Sequence, residues 1–164
     1  MSTAFRSQRG FTLVELIIVI LIIGILSALA LPRFINMGAD ARTAKVQSIM
    51  GAVRSAAQVV RAAALVRGQT GATGTVVVDG VSIATVYGYP AALSTGNGAT
   101  GIVDAAGMDT SASNNDGIGL SGGGTAALVI AVNGAATPAN CSVSYTAPAS
   151  ANSTPTIALI YSGC

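Results

Sequence analysis

The chain has 164 residues, of which 9% are charged and none is histidine. That length allows one domain of ordinary size beyond an anchor, and with a single lysine, Lys45, and two cysteines no nucleophile has an evident base, so an enzyme is not expected. All eight basic residues lie at or before Arg67, whereas 68–164 carry Asp79, Asp104, Asp109 and Asp116 with no base, a net charge of −4 that argues against nucleic-acid binding by the distal part.

Residues 9–33 read Arg-Gly-Phe-Thr-Leu-Val-Glu and then an apolar run ending in Leu31-Pro32-Arg33. Between Glu15 and Arg33 lie 17 residues without a charge. Residues 11–32, at about 1.5 Å per residue of helix, are long enough to cross a hydrocarbon core of roughly 30 Å. A carboxylate inside such a segment is costly and is expected to have a partner. Gly24 and Pro32 are the expected points of bending, since proline removes a backbone donor.

The residues Gly10-Phe11-Thr12-Leu13-Val14-Glu15 resemble the prepilin signature, in which a short basic leader ends in glycine and is cut before Phe-Thr-Leu-x-Glu. An ordinary secretory signal carries its apolar stretch away with the leader; here the good junction, Gly10–Phe11, precedes the stretch, which would stay as an anchor. Residues 1–10 carry Arg6 and Arg9 and no acid, so the positive-inside bias keeps that end cytoplasmic and sends the chain after Arg33 outward. The resemblance implies a prepilin peptidase that cuts after Gly10 and methylates the amine of Phe11. It also implies a partner for Glu15, the Phe11 ammonium of a neighbouring subunit. The bland reading is a plain signal-anchor with an incidental Glu15, which leaves the junction and the acid as coincidences.

Over 33–67 the apolar pattern becomes one-sided. Val46, Ile49, Met50, Val53, Ala57, Val60 and Ala64 recur at three- and four-residue steps, with Gln47, Ser48, Ser55 and Gln58 opposite, the pattern of an amphipathic helix laid on a core. Arg42, Lys45, Arg54 and Arg61 accompany the stripe as solvated or subunit-bridging charges. The helix signal ends at Gly68. Residues 75–78 and 81–87 flank Asp79-Gly80, a strong hairpin signal because both turn residues tolerate positive φ. Residues 94–124, rich in Gly, Ser, Asn and Asp, read as surface loop with one helical turn near 102–108. Strands are expected at 126–132, 141–146 and 156–161, giving an antiparallel sheet of four or five strands. In a chain facing an oxidising compartment, Cys141 and Cys164 read as one disulfide, and two cysteines without histidine are too few for a metal site.

The order of long helix, loop, antiparallel sheet and cysteine-closed end resembles type IV pilins, an α+β fold. The finer resemblance is to pilins of the mannose-sensitive haemagglutinin type, carried by the Asp79-Gly80 hairpin leading to Gly88-Tyr89-Pro90-Ala91, by Asn140-Cys141-Ser-Val-Ser-Tyr145-Thr and by Tyr161-Ser-Gly-Cys164. The implied division is a cleaved leader (1–10), a transmembrane and filament-core helix (11–32), an amphipathic helix (33–67) and a sheet-bearing head (68–164). The implied function is a structural subunit that leaves the inner membrane, its C-terminus periplasmic, and polymerises with itself into a surface filament for attachment. The implied partners are the prepilin peptidase, an inner-membrane assembly platform with its ATPase, and an outer-membrane secretin; no cofactor and no nucleic acid are expected. The alternatives are a pseudopilin of a type II secretion or DNA-uptake system, and a monomeric membrane-tethered binding domain. Gly117-Ile-Gly119-Leu-Ser-Gly122 spells a dinucleotide fingerprint, but it lacks the preceding strand and following helix that the motif needs. The oxygen-rich stretch 109–117 departs from the spacing of an EF-hand calcium loop and is ordinary turn chemistry.

Overall fold

The computed structural model describes residues 10–93, 100–110 and 117–164, with the backbone alone over 31–36. The leader up to Arg9, the side chain of Pro32 and most of the 109–117 loop lie outside the described residues. Contacts divide the chain after Gly38 into two units. The first holds the beginning of helix α1, Leu13–Val66, which is helical through both Gly24 and Pro32.

In the second unit, which begins at Ala39, the expected stripe is the core. Val46, Ile49, Val53, Ala57, Val60 and Ala64 are buried, Ala56 joins them and Met50 packs at their border. Gln47, Ser48, Ser55 and Gln58 are exposed. The chain leaves α1 at Gly68, whose φ of 66° suits glycine just past a helix end.

Among the described residues seven strands follow, in two sheets where one was expected. The first sheet runs β1 (Gly74–Val78), β2 (Val81–Val86) and β3 (Tyr89–Pro90), all antiparallel. Asp79 and Gly80 have φ of 50° and 79°, so the expected two-residue turn forms with both residues left-handed. A second such turn joins β2 to β3 through Tyr87 and Gly88, φ 48° and 79°. Tyrosine rarely adopts this conformation; here its N–H donates to Gly71 O at 2.8 Å and its carbonyl accepts from Arg61 at 2.6 Å. The same guanidinium lies 4.9 Å from the centroid of the Tyr89 ring, a cation–π distance.

The second sheet is ordered β4 (Ile118–Gly122), β5 (Leu128–Val132), β6 (Ser142–Thr146) and β7 (Thr156–Ile160), antiparallel throughout. Its inner face carries Ile118, Leu128, Ile130, Val132, Val143 and Tyr145, all buried, and these pack with Val46, Ile49 and Val53 of α1. The upper stripe, Val60 and Ala64, packs instead with Val76 and Ile83 of the first sheet. The helical turn expected near 102–108 is α2, Ile102–Ala105, with Ile102 and Val103 buried. The loop expectation for 94–124 therefore needs correction at its far end: beyond the expected turn, the stretch contributes β4 to the sheet. Only Ile118 of β4 is fully buried, and its Gly-Ser-rich sequence hid the alternation. The glycine fingerprint at 117–122 lies mostly in β4, which turns back into β5 with no helix after it.

Two links fasten this unit. Cys141 and Cys164 are joined, their Cα atoms 4.8 Å apart, and the Cys164 carbonyl accepts from Arg42 Nε of α1 at 2.5 Å. The wholly buried Tyr145 of β6 donates its hydroxyl to Pro90 O of β3 at 2.7 Å, which ties one sheet to the other. Burial, with Tyr89 adding, pushes the Tyr145 hydroxyl well above the usual phenol range. Because its folded-state pKa is raised, its contribution is complete below the free phenol value of about 10 and is lost as pH climbs beyond it.

Tyr145→Phe should therefore cost about 1–3 kcal/mol at neutral pH, by removing the donor to a buried carbonyl. In thermal unfolding, the gap between variant and parent should narrow above pH about 10; a gap independent of pH would reject the buried hydroxyl as its source. Cys141→Ser opens the C-terminal loop and should cost roughly 3 kcal/mol on the chain-entropy account, while alkylation of the native protein should find no free thiol.

Candidate functional site

The first unit ends in an arrangement built from four adjacent residues. Thr12 precedes the first helical residue, Leu13, and Glu15 falls in the first turn. Glu15 N donates to Thr12 Oγ1 at 3.2 Å, while Thr12 N and Thr12 Oγ1 each donate to Glu15 Oε2 at 2.8 Å. This is a reciprocal capping box, which satisfies backbone donors that the first turn leaves without partners. The carboxylate also sits where the helix macrodipole favours negative charge.

The sequence carried this signal as Thr12-x-x-Glu15, and a reading that treats the acid only as an intersubunit partner misses it. In the chain by itself Glu15 has a local job. That job engages Oε2; among the described residues no bond to Oε1 is seen. Phe11, which directly precedes Thr12, is 89% exposed.

Beyond the cap, Leu13–Ala30 has a mean hydropathy of 3.0, and none of it is buried. Leu16, Ile17, Ile18 and Val19, at successive steps of about 100° round the helix, all stand open, so the exposure is on every side and not along one stripe. A helix apolar all round is stable only inside lipid or inside other protein. Gly24 leaves open space on this surface: a Cβ there would meet nothing within 4 Å. Gly10, Phe11, Glu15 and Gly24 thus lie together in the first unit, and the Cys141–Cys164 link belongs to the second. Among the described residues no cluster of three metal-ligating side chains occurs.

The family described as the prokaryotic N-terminal methylation motif matches residues 5–31. The type IV narrow pilus major component PilA5 of Thermus thermophilus is 56% identical over 48 residues, 29% of this chain and 41% of that protein. The type IV major fimbrial protein FimA of Dichelobacter nodosus is 49% identical over 49 residues, 30% of this chain and 31% of its own length. The type IV major alpha-pilin of Moraxella bovis is 44% identical over 65 residues, 40% of this chain and 38% of that one. The chain thus spans well under half the length of these relatives. No solved structure matches it.

The methylation motif thus falls on a capped and uncovered apolar helix. Joined to a helix-on-sheet unit closed by a disulfide, this segment makes the chain similar to type IV pilins, the likeness in sequence covering 29–40% of its length.

Gly10 has room: a Cβ at that position would meet nothing within 4 Å. Gly10→Val should therefore leave the chain's own fold intact and yet block cleavage, because the peptidase must accept a side chain beside the scissile bond. Intact-mass measurement should find N-methyl-Phe11 as the mature terminus in the parent and the whole leader in the variant; processed Gly10→Val would reject that junction.

Proposed function

We propose that the chain is the structural subunit of a type IV pilus of the mannose-sensitive haemagglutinin type, serving surface attachment. The observation that carries this reading is the span Leu13–Ala30, apolar on all sides and wholly uncovered. Lipid covers it first, with the distal unit on the periplasmic side; copies of the same helix cover it afterwards in a filament core. The relatives named above are pilus and fimbrial components by their own names, which supports the same conclusion. Electron microscopy of filaments sheared from the cell surface, with mass spectrometry of their main band, tests it directly: filaments made of another protein would reject it.

In this reading a prepilin peptidase releases residues 1–10 and methylates Phe11, and an inner-membrane platform, its ATPase and an outer-membrane secretin extend the polymer. Glu15 then has two successive roles. In the membrane its Oε2 caps its own helix; on assembly the free Oε1 meets the Phe11 ammonium of the neighbouring subunit, an attraction that is strong because the surrounding medium is apolar. Bending at Gly24 and Pro32 lets the helices fit beside one another.

Glu15→Ala should ease membrane insertion, since a costly acid is gone, and should leave processed subunit in the membrane with little or no surface filament. Glu15→Gln keeps an oxygen for the cap and loses only the charge, so it separates the two roles: it should retain the helix start by circular dichroism and still fail to assemble. Parental amounts of filament from Glu15→Gln, in a host lacking other pilins, would defeat the charge pairing.

A further inference from the structure

The cations of α1 are nearly all engaged within their own unit. Arg42 donates to Cys164 O, Arg61 to Tyr87 O, and Arg67 to Val77 O at 2.5 Å, and Lys45 also has a partner. Arg54 is different. It is exposed, and among the described residues it makes no hydrogen bond or ion pair. It lines an open groove of about 430 Å³ together with Ala57 and Gln58 of α1 and with Thr154, Pro155 and Ile157 at the start of β7.

The acids beyond Gly68 show the same asymmetry. Asp104 accepts from the Gly101 N–H at 2.9 Å, capping α2, and Asp109 has a partner as well. Asp79 is exposed and makes no such contact among the described residues. It heads the two-residue turn of the β1–β2 hairpin, a narrow projection whose second residue, Gly80, has no side chain and nothing within 4 Å of where one would begin.

We propose that the Arg54 groove receives the Asp79-Gly80 turn of a second copy of this chain, an ion pair between subunits that sets how one head docks on the shaft of the next. Charge complementarity favours this occupant: 68–164 carries four acids and no base, so the cation that Asp79 lacks must come from α1, where Arg54 alone of the described side chains is unengaged. Asp40, the other exposed and unengaged acid, lies on the cylindrical shaft of α1 and has no projecting turn to enter a groove. An exposed pair contributes little energy by itself; its effect is on partner choice and register, because like charges brought face to face are strongly disfavoured. In a polymer that penalty recurs at every subunit.

The inference rests on the filament reading, and its test is made on full-length chains in cells lacking other pilins. Arg54→Asp and Asp79→Arg should each lower the yield of sheared filament several-fold with processed subunit still present in the membrane, and the double charge swap should restore it. Co-expressing the two single variants should restore it too, since each supplies the partner the other has lost; a contact within one chain cannot be rescued in this way. Arg54→Gln and Asp79→Asn, which remove the charge without reversing it, should give filaments whose release of subunits depends less on salt than the parent's. Parental yields from both reversals, or a swap as poor as either single change, would overturn the pair while leaving the pilin reading in place. Absence of filaments from the parent itself would overturn both.

Discussion

Everything about this protein follows from a helix of which one part has no surface suited to water. Leu13–Ala30 is apolar around its full circumference, so no fold of its own chain could cover it along one face and leave the rest solvated. Such a segment requires two environments in turn if the protein is to leave the membrane, and both must be apolar. A single carboxylate at its start reconciles these demands. Glu15 completes the first turn by accepting from Thr12 while the segment is isolated.

From Val46 onward the same helix obeys a different rule. Its apolar residues narrow to one stripe, and two sheets share that stripe end to end: the four-stranded sheet covers Val46 to Ala57, and the three-stranded sheet covers Val60 and Ala64. Neither sheet is large, so their junction matters. The buried Tyr145 hydroxyl closes it by donating from β6 to Pro90 of β3, a bond that a protected, low-dielectric setting strengthens.

The helix contributes more than an apolar seat. Arg42, Arg61 and Arg67 each donate to a main-chain carbonyl of the distal region, at the disulfide-closed end, at a left-handed turn and on the outer strand β1. In each case a long guanidinium arm satisfies an acceptor that lies beyond the regular ladder. The pairing shows how a region containing no base of its own is fastened: main-chain acceptors at these three points take hydrogen bonds from cations that precede Gly68. With these arginines engaged in holding the fold, Arg54 is the one left facing outward among the described side chains of α1.

The uncovered apolar span Leu13–Ala30 and the amphipathic stripe from Val46 to Ala64 were legible in the sequence, because each depends on spacing along one helix and on solvent preference. The Asp79-Gly80 hairpin was equally legible, since only a few residue pairs accept two left-handed conformations. The capping box was present as Thr12-x-x-Glu15 but was masked by the stronger expectation of a partner for an acid in lipid. Tyr87-Gly88 gave no comparable signal: tyrosine does not favour positive φ, and Arg61, 26 residues away, supports the turn by binding its carbonyl. Nor could composition reveal β4, whose Gly-Ser-rich sequence imitates a loop until Ile118 finds its place in the core; the turn α2 was the part of that stretch that could be read. Local propensity and periodicity determine which segments are helix, strand or turn where the chain's own neighbours decide the matter; the division into two sheets, and the choice of which charges are engaged and which remain open, come from contacts between residues distant in sequence, and only the tertiary structure decides those.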